Sequence, residues 1–146
     1  MSQKFKHAKS CKVIFTDFFD TLVHRTVHPN YTIKLWAKFL VRELGLYISS
    51  DQLFSIRLDS ISYLSKKIGL KGIEISYDTV IKEIYSRLIN SQQLENTSLA
   101  SFSKICKQAD YISEISVQFT NNETLNALKE LKKNGAQIYL ITDFFR

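Results

Sequence analysis

Two aspartates follow a short apolar segment near the start of the chain. Residues 13–15 are Val-Ile-Phe and predict a buried β-strand, and Asp17, Asp20 and Thr21 come directly after it. In open α/β sheets, ligands bind at the carboxyl ends of the strands. An aspartate placed there can attack phosphorus as a carboxylate nucleophile and form an aspartyl-phosphate. The pattern therefore makes Asp17 a candidate catalytic residue.

A second apolar segment, residues 138–143, ends in the same way, with Thr142 and Asp143. Phosphoryl chemistry needs a divalent cation, usually Mg²⁺, together with hydroxyl and backbone donors for the phosphoryl oxygens. Thr142 is placed to supply one hydroxyl, and Thr21 a second. Asp143 fits either a turn acid or a residue that orients the site.

Helical periodicity fills most of the chain between these two segments. After strand one (residues 12–16) and a loop over residues 17–30, apolar spacing predicts helices that end at Gly45 and Gly69. In the second of these helices the predicted apolar stripe is Phe54, Leu58, Ile61, Leu64 and Ile68.

Capping patterns mark several helix starts. Ser49 with Gln52, and Thr120 with Glu123, have the form of capping boxes. The helix that starts at Thr120 is predicted to end at Gly135, and strand two to run over residues 136–141.

The order strand, helices, helix, strand predicts an α/β protein. Its last helix and strand resemble half of a βαβ unit, and about 90 residues of helix are more than one crossover requires. We therefore expect a partial Rossmann-like core, residues 1–27 and 117–146, with only the first strands of a parallel sheet. A large α-helical cap, residues 28–116, is inserted between its parts.

Two motifs resemble those of the haloacid dehalogenase (HAD) superfamily. Thr-Asp-Phe-Phe-Asp-Thr-Leu-Val at residues 16–23 resembles the first motif, and Ile-Tyr-Leu-Ile-Thr-Asp at 138–143 the second. The helical insertion stands where that superfamily carries a helical cap. The nearest resemblance is to predicted hydrolases found with polysaccharide and glycosyltransferase genes, and it covers roughly residues 12–145.

The resemblance implies a Mg²⁺-dependent phosphohydrolase that acts on a small phosphorylated or other anionic substrate. Asp17 would be the nucleophile and a metal ligand, and the backbone carbonyl of Phe19 a second ligand. Thr142 would hold the phosphoryl group. Arg25 matches an arginine that the resembling group often carries, and fits either an anion contact or a hinge role.

Two departures bear on activity. Phe19 occupies the usual position of the general acid, and a phenylalanine cannot donate a proton. Asp20, one residue later, is a second candidate catalytic residue and could donate the proton if the loop turns its side chain inward. The superfamily's third and fourth motifs normally follow the second strand, and nothing follows Arg146. We therefore expect a truncated form or a fragment whose own activity is doubtful. The alternative is a non-catalytic remnant or interaction module that keeps the half-fold.

Composition fits a globular protein without a membrane segment. The net charge of +6 comes from dispersed lysines, which favours solvated faces over a nucleic-acid site. Cys11 and Cys106 lie far apart and form no ligand motif, so we expect free thiols and a cytoplasmic protein. His24 and His28 are four residues apart, but Pro29 follows, and this disfavours a shared metal site on a helix.

Overall fold

The protein has an α/β structure with five helices and four short strands in the part that this computed structural model describes, residues 8, 10–69 and 75–141. The elements are β1 (Val13–Thr16), β2 (Val23–Arg25), α1 (Pro29–Leu44), α2 (Ser50–Ile68), α3 (Tyr77–Asn90), α4 (Leu99–Ser116), β3 (Gln118–Thr120), α5 (Asn122–Lys133) and β4 (Gln137–Leu140).

The described residues fall into two compact units. One holds the residues up to Thr26 and from Val117 onward, with all four strands and α5, and is called the strand unit below. The other, the helical unit, is Val27–Ser116 and contains α1 to α4. That the helical unit serves as a cap stays a prediction.

The strand unit is built on the pairing of β1 with β4. The two strands are parallel, with Val13 opposite Gln137 and Thr16 opposite Leu140. The backbone N–H of Ile141 donates to the Thr16 carbonyl at 2.8 Å, which extends the pairing by one residue. Because the pairing is parallel, the carboxyl ends of the two predicted strands lie side by side. Helix α5 packs against β4.

The prediction that strand one is buried is wrong. Val13 is 45% exposed, Phe15 64% and Tyr139 50%, and the rings of Phe15 and Tyr139 lie 5.6 Å apart on the same face. Successive side chains of a strand point to opposite faces, and among the described residues this sheet has only two strands and one neighbouring helix. One of its faces is therefore left uncovered.

Strands β2 and β3 form a short antiparallel ribbon that the sequence did not predict. Arg25 pairs with Gln118 and Val23 with Thr120, so the expected 17–30 loop contains a strand. Thr120 lies in β3 and does not cap α5. The cap is Asn121, whose side-chain oxygen accepts from the Thr124 N–H at 3.2 Å, so the predicted Thr120–Glu123 capping box is wrong.

The helical unit is a ring of four helices in which each packs against the next and α4 packs against α1. Ser49 and Gln52 form the predicted capping box of α2. Gly45 and Gly69 end α1 and α2 in left-handed conformations, as predicted. The fully buried apolar side chains are Trp36, Ala37, Leu40, Leu53, Ile84, Leu88, Phe102, Cys106 and Ala109.

Helix α2 buries Leu64 of the predicted stripe, but most of its buried face differs from that stripe. Its buried residues are Leu53, Arg57, Ser60 and Leu64. Leu58 and Ile61, which belong to the predicted stripe, are each 37% exposed, and Ile68 is 43% exposed. The buried face is turned about the helix axis relative to the predicted stripe, which places Arg57 and Ser60 in the core. Polar and aromatic partners from other helices surround Arg57.

None of the described helices is both long and apolar enough to cross a bilayer.

Candidate functional site

The two aspartates lie in a tight loop between β1 and β2. The carbonyl of Phe18 accepts from the backbone N–H of Leu22 at 2.9 Å and from that of Val23 at 3.1 Å. The N–H of Asp20 donates to the Val23 carbonyl at 2.8 Å. These bonds fold residues 18–23 back on themselves, so the loop has a defined shape immediately after the strand.

Asp17 is the first residue beyond β1 and is exposed. One of its carboxylate oxygens, Oδ1, accepts the backbone N–H of Phe18 at 2.6 Å. The other oxygen has no hydrogen-bond partner among the residues that the structure describes. The carboxylate is therefore anchored on one side and open on the other, which suits a nucleophile or a metal ligand.

Asp20 adopts a left-handed conformation, with φ of 56°, which aspartate tolerates better than most residues. Its side chain is 90% exposed, and Oδ1 lies 4.0 Å from Nδ1 of His24. The other ring nitrogen of His24 lies 3.1 Å from the Asn121 side-chain amide. His24 thus lies between Asp20 and Asn121, the N-cap of α5. Residue spacing alone did not predict this position of His24.

Arg25 lies on β2, opposite Gln118. Its guanidinium carbon is 4.6 Å from the ring centroid of Phe19, which is within the range of a cation–π contact. Phe19 therefore lies against an arginine, and the rings of Phe18 and Phe19 pack in a T-shaped arrangement with their centroids 5.0 Å apart. Thr21 is half-buried in the same loop.

Thr142, the predicted phosphoryl-binding residue, lies outside the described residues, as does Asp143. The chain is described as far as Ile141, which is hydrogen-bonded to Thr16, the residue before Asp17. The pairing thus brings the end of strand two beside the loop that carries the two aspartates.

The ligands predicted for Mg²⁺ are the Asp17 carboxylate and the Phe19 carbonyl. Both are hard oxygen donors in one short loop, the type of ligand that Mg²⁺ prefers. Within residues 10–69 and 75–141 no three histidine, cysteine or acidic side chains gather as a metal cluster. That the Asp17 carboxylate and the Phe19 carbonyl hold Mg²⁺ stays a prediction.

His28 has a structural role. It is the N-cap of α1, and its Nδ1 accepts the backbone N–H of Asn30 at 3.1 Å. His24 lies on β2, so the two histidines do not share a helix. Histidine is an uncommon N-cap, and only the following Pro29 in the first helical turn signalled a helix start there.

The helical unit contains a buried polar cluster that the sequence did not predict. Arg57 Nη1 donates to Asp110 Oδ1 at 3.0 Å, and the Tyr77 hydroxyl donates to Asp110 Oδ2 at 2.5 Å. The guanidinium lies 4.4 Å from the Trp36 ring centroid. Arg57 Nε and the Ser60 hydroxyl are buried without a partner among the described residues.

Burial shifts two pKa values beside this cluster. The pKa of the Tyr77 hydroxyl is raised well above its usual value, first by burial and then by the charge and hydrogen bond of Asp110. Burial, followed by the charge of Asp110, likewise raises the pKa of the Cys106 thiol. Both groups are therefore neutral at physiological pH, and their place in a packed helical core indicates a structural role.

A scan against protein-family models gives no match to this chain, and a search of curated proteins finds none either.

Proposed function

We propose that the protein is a HAD-like hydrolase, a Mg²⁺-dependent phosphohydrolase in which Asp17 is the nucleophile. The observation that carries the proposal is the parallel pairing of β1 with β4, with Ile141 bonded to Thr16. Asp17 then follows one strand at the edge where the other strand ends. Ligands of open parallel sheets bind at that edge.

The proposed first step is attack of a free Asp17 carboxylate oxygen on the phosphorus of a phosphate monoester. An oxygen–phosphorus bond to Asp17 forms while the bond from phosphorus to the leaving oxygen breaks. Water then hydrolyses the aspartyl-phosphate, which releases phosphate and restores the carboxylate. The exposed position of Asp17 supports access for both the ester and the water.

The leaving alcohol needs a proton, and Phe19 cannot supply one. Asp20 is the nearest acid in the loop sequence, and we assign it this role. His24 is a neighbour of this acid, with its Nδ1 4.0 Å from Asp20 Oδ1. Thr21, Thr142 and Arg25 are the proposed contacts to the phosphoryl oxygens.

Mg²⁺, held by the Asp17 carboxylate and the Phe19 carbonyl, would neutralise phosphate charge and orient the ester. The exposure of the Asp17 carboxylate supports this assignment, because a cation can reach it from solvent.

The test is hydrolysis of p-nitrophenyl phosphate by the 146-residue chain with and without Mg²⁺. Asp17→Asn keeps the size of the side chain and removes the nucleophile, so kcat/KM should fall by at least about 100-fold. The matched control is Asp59→Asn on α2, an exposed aspartate that should leave turnover unchanged. Full turnover by Asp17→Asn would show that Asp17 is not the nucleophile.

The second candidate function is a non-catalytic interaction module that keeps the half-fold. It is favoured by the uncovered apolar face of the β1–β4 sheet, on which Phe15 is 64% exposed and Tyr139 50%. A folded chain that turns over no phosphate monoester at any Mg²⁺ concentration supports the module. Mg²⁺-dependent turnover that Asp17→Asn abolishes excludes it.

A further inference from the structure

A groove with an apolar floor runs along the helical unit between α1 and the carboxyl half of α4. Its volume is about 420 Å³, and it lies entirely within this unit. Leu35 and Phe39 of α1 and Ile112 of α4 supply the apolar side chains. The remaining lining residues are Lys38, Arg42, Ser113 and Ser116.

The charge of the groove is entirely positive. Lys38 and Arg42 are both exposed and lie four residues apart on α1. Neither forms an ion pair with a carboxylate in the described parts of the chain. Residues four apart lie about 6 Å apart on one face of a helix. The groove thus carries two adjacent cations that no described carboxylate pairs with.

The apolar surface continues from the floor of the groove along α4. Ile112 is 41% exposed, Ile115 52% and Tyr111 67%. Ile115 is three positions from Ile112 and four from Tyr111, so the three side chains form one stripe on the helix surface. A helix that exposes three large apolar side chains beside an apolar groove has a surface that suits a partner.

We propose that this groove binds an acidic amphipathic helix of a partner protein. The apolar face of that helix would cover Leu35, Phe39 and Ile112. Two carboxylates four residues apart on its rim would match the spacing of Lys38 and Arg42. Charge complementarity identifies the ligand class, because an acidic helix supplies the counter-charges that the groove lacks. The proposal does not depend on the hydrolase reaction.

The openness of the surface favours a helix over a small amphiphile. Small-molecule sites bury about 70–90% of the ligand surface. Here Ile112 in the groove and Ile115 beside it are both exposed, so an acyl chain lying there would keep much of its length in water. A helix buries one face and leaves its polar face solvated. A second copy of this chain is disfavoured because its net charge is also +6.

The test uses a labelled peptide of about 18 residues, long enough to become helical on binding. It carries leucines at positions i, i+3, i+4 and i+7 and a glutamate pair four residues apart beside them. A matched peptide has glutamine in place of the two glutamates. We expect saturable binding of the glutamate peptide in fluorescence anisotropy, at least about tenfold tighter than that of the glutamine peptide.

Two variants map the site. Lys38→Glu/Arg42→Glu should weaken binding of the glutamate peptide by at least about tenfold, and Ile112→Asp should weaken binding of both peptides. The charge-matched control is Lys82→Glu/Lys104→Glu, which reverses two exposed cations outside the groove and should leave binding unchanged. Circular dichroism checks that each variant keeps its helices.

Four results of the peptide assay would overturn the proposal. They are no binding of the glutamate peptide, equal binding of the two peptides, equal loss in the charge-matched control, and full displacement of the peptide by dodecanoate. The last would assign the groove to an amphiphile. Self-association of the chain that Lys38→Glu/Arg42→Glu abolishes would assign it to a second copy and would also overturn the proposal.

Discussion

The guanidinium of Arg57 and the carboxylate of Asp110 form a 3.0 Å ion pair inside the helical unit, where their side chains are only 11% and 7% exposed. The pair joins α2 to α4, and the Tyr77 hydroxyl adds the start of α3 through the second carboxylate oxygen. The Trp36 ring on α1 lies against the guanidinium. All four helices therefore meet at one polar cluster.

Removing one partner of this pair should be strongly destabilising. We expect Arg57→Ala and Asp110→Ala each to lower the free energy of unfolding by roughly 3–5 kcal/mol, because each leaves a buried charge unpaired. Urea denaturation measures the loss. The double variant Arg57→Met/Asp110→Leu should cost far less than the sum of the single changes.

The matched control for this prediction is the more exposed pair Arg87–Glu83, 2.8 Å apart on α3. Arg87→Ala should cost about 1 kcal/mol or less, because solvent screens that pair. An equal loss for Arg57→Ala and Arg87→Ala would show that the buried cluster does not stabilise the helical unit.

The raised pKa of Cys106 makes stability depend on pH in the alkaline range. In the unfolded chain the Cys106 thiol ionises at about pH 8.5, whereas burial keeps it protonated in the folded protein. The stabilisation is complete below the unfolded pKa and is lost as pH rises toward the folded pKa. The free energy of unfolding should fall by up to about 1.4 kcal/mol per pH unit above that point.

Cys106→Ala isolates this contribution in urea denaturation between about pH 7 and pH 10. The variant should be less stable at neutral pH, because it leaves a cavity, but its stability should fall less steeply with pH. Cys11→Ala, a change at the exposed cysteine, should keep the wild-type slope. An unchanged slope in Cys106→Ala would contradict the prediction.

Substitutions at the start of α5 distinguish two candidate N-caps, Asn121 and Thr120. Asn121→Ala should destabilise the protein by about 1 kcal/mol, since the Thr124 N–H loses its acceptor, whereas Thr120→Ala should stay within about 0.5 kcal/mol. Asn121→Asp keeps the acceptor oxygen and loses the amide near His24, so it should retain the cap. A larger loss in Thr120→Ala than in Asn121→Ala would favour the sequence-based capping box.

Exposure of the β1–β4 sheet predicts tolerance to polar substitution. Phe15→Ser should change the free energy of unfolding by no more than about 0.5 kcal/mol, because the ring is 64% exposed. Phe102→Ala should cost roughly 3–5 kcal/mol, because that ring is fully buried. Thermal unfolding compares the two, and a large loss from Phe15→Ser would show that something covers this face in solution.

Local signals predicted most of the helices and the ends of several of them. Gly45, Gly69 and the Ser49–Gln52 box follow from backbone freedom and side-chain reach, which depend on a few neighbouring residues. The β2–β3 ribbon was missed because it pairs Arg25 with Gln118, residues far apart in sequence. A strand of three residues is also too short for the alternation of apolar and polar residues to identify it in the sequence.

The face of α2 shows how packing overrides pattern. Counting apolar residues selected Leu58 and Ile61, whereas the structure buries Arg57 and Ser60. An arginine enters the core because Asp110 and Trp36 are placed to receive it, and both lie on other helices. For the candidate site, the sequence predicted Asp17 at the end of β1. The contacts of His24 with Asp20 and Asn121 depend on the shape of the loop and on the β2–β3 pairing, which residue spacing does not specify.

The ribbon closes the strand unit at the point where the helical unit is inserted. The Thr26 N–H and hydroxyl both donate to the Val117 carbonyl, at 2.9 and 3.0 Å. The 90-residue segment Val27–Ser116 thus leaves and rejoins the chain at one hydrogen-bonded pair. A short Asn-Gly turn in its place would make β2 and β3 an ordinary hairpin. Residues 27–116 could therefore be shortened or replaced without changing the distance that the link between β2 and β3 must span.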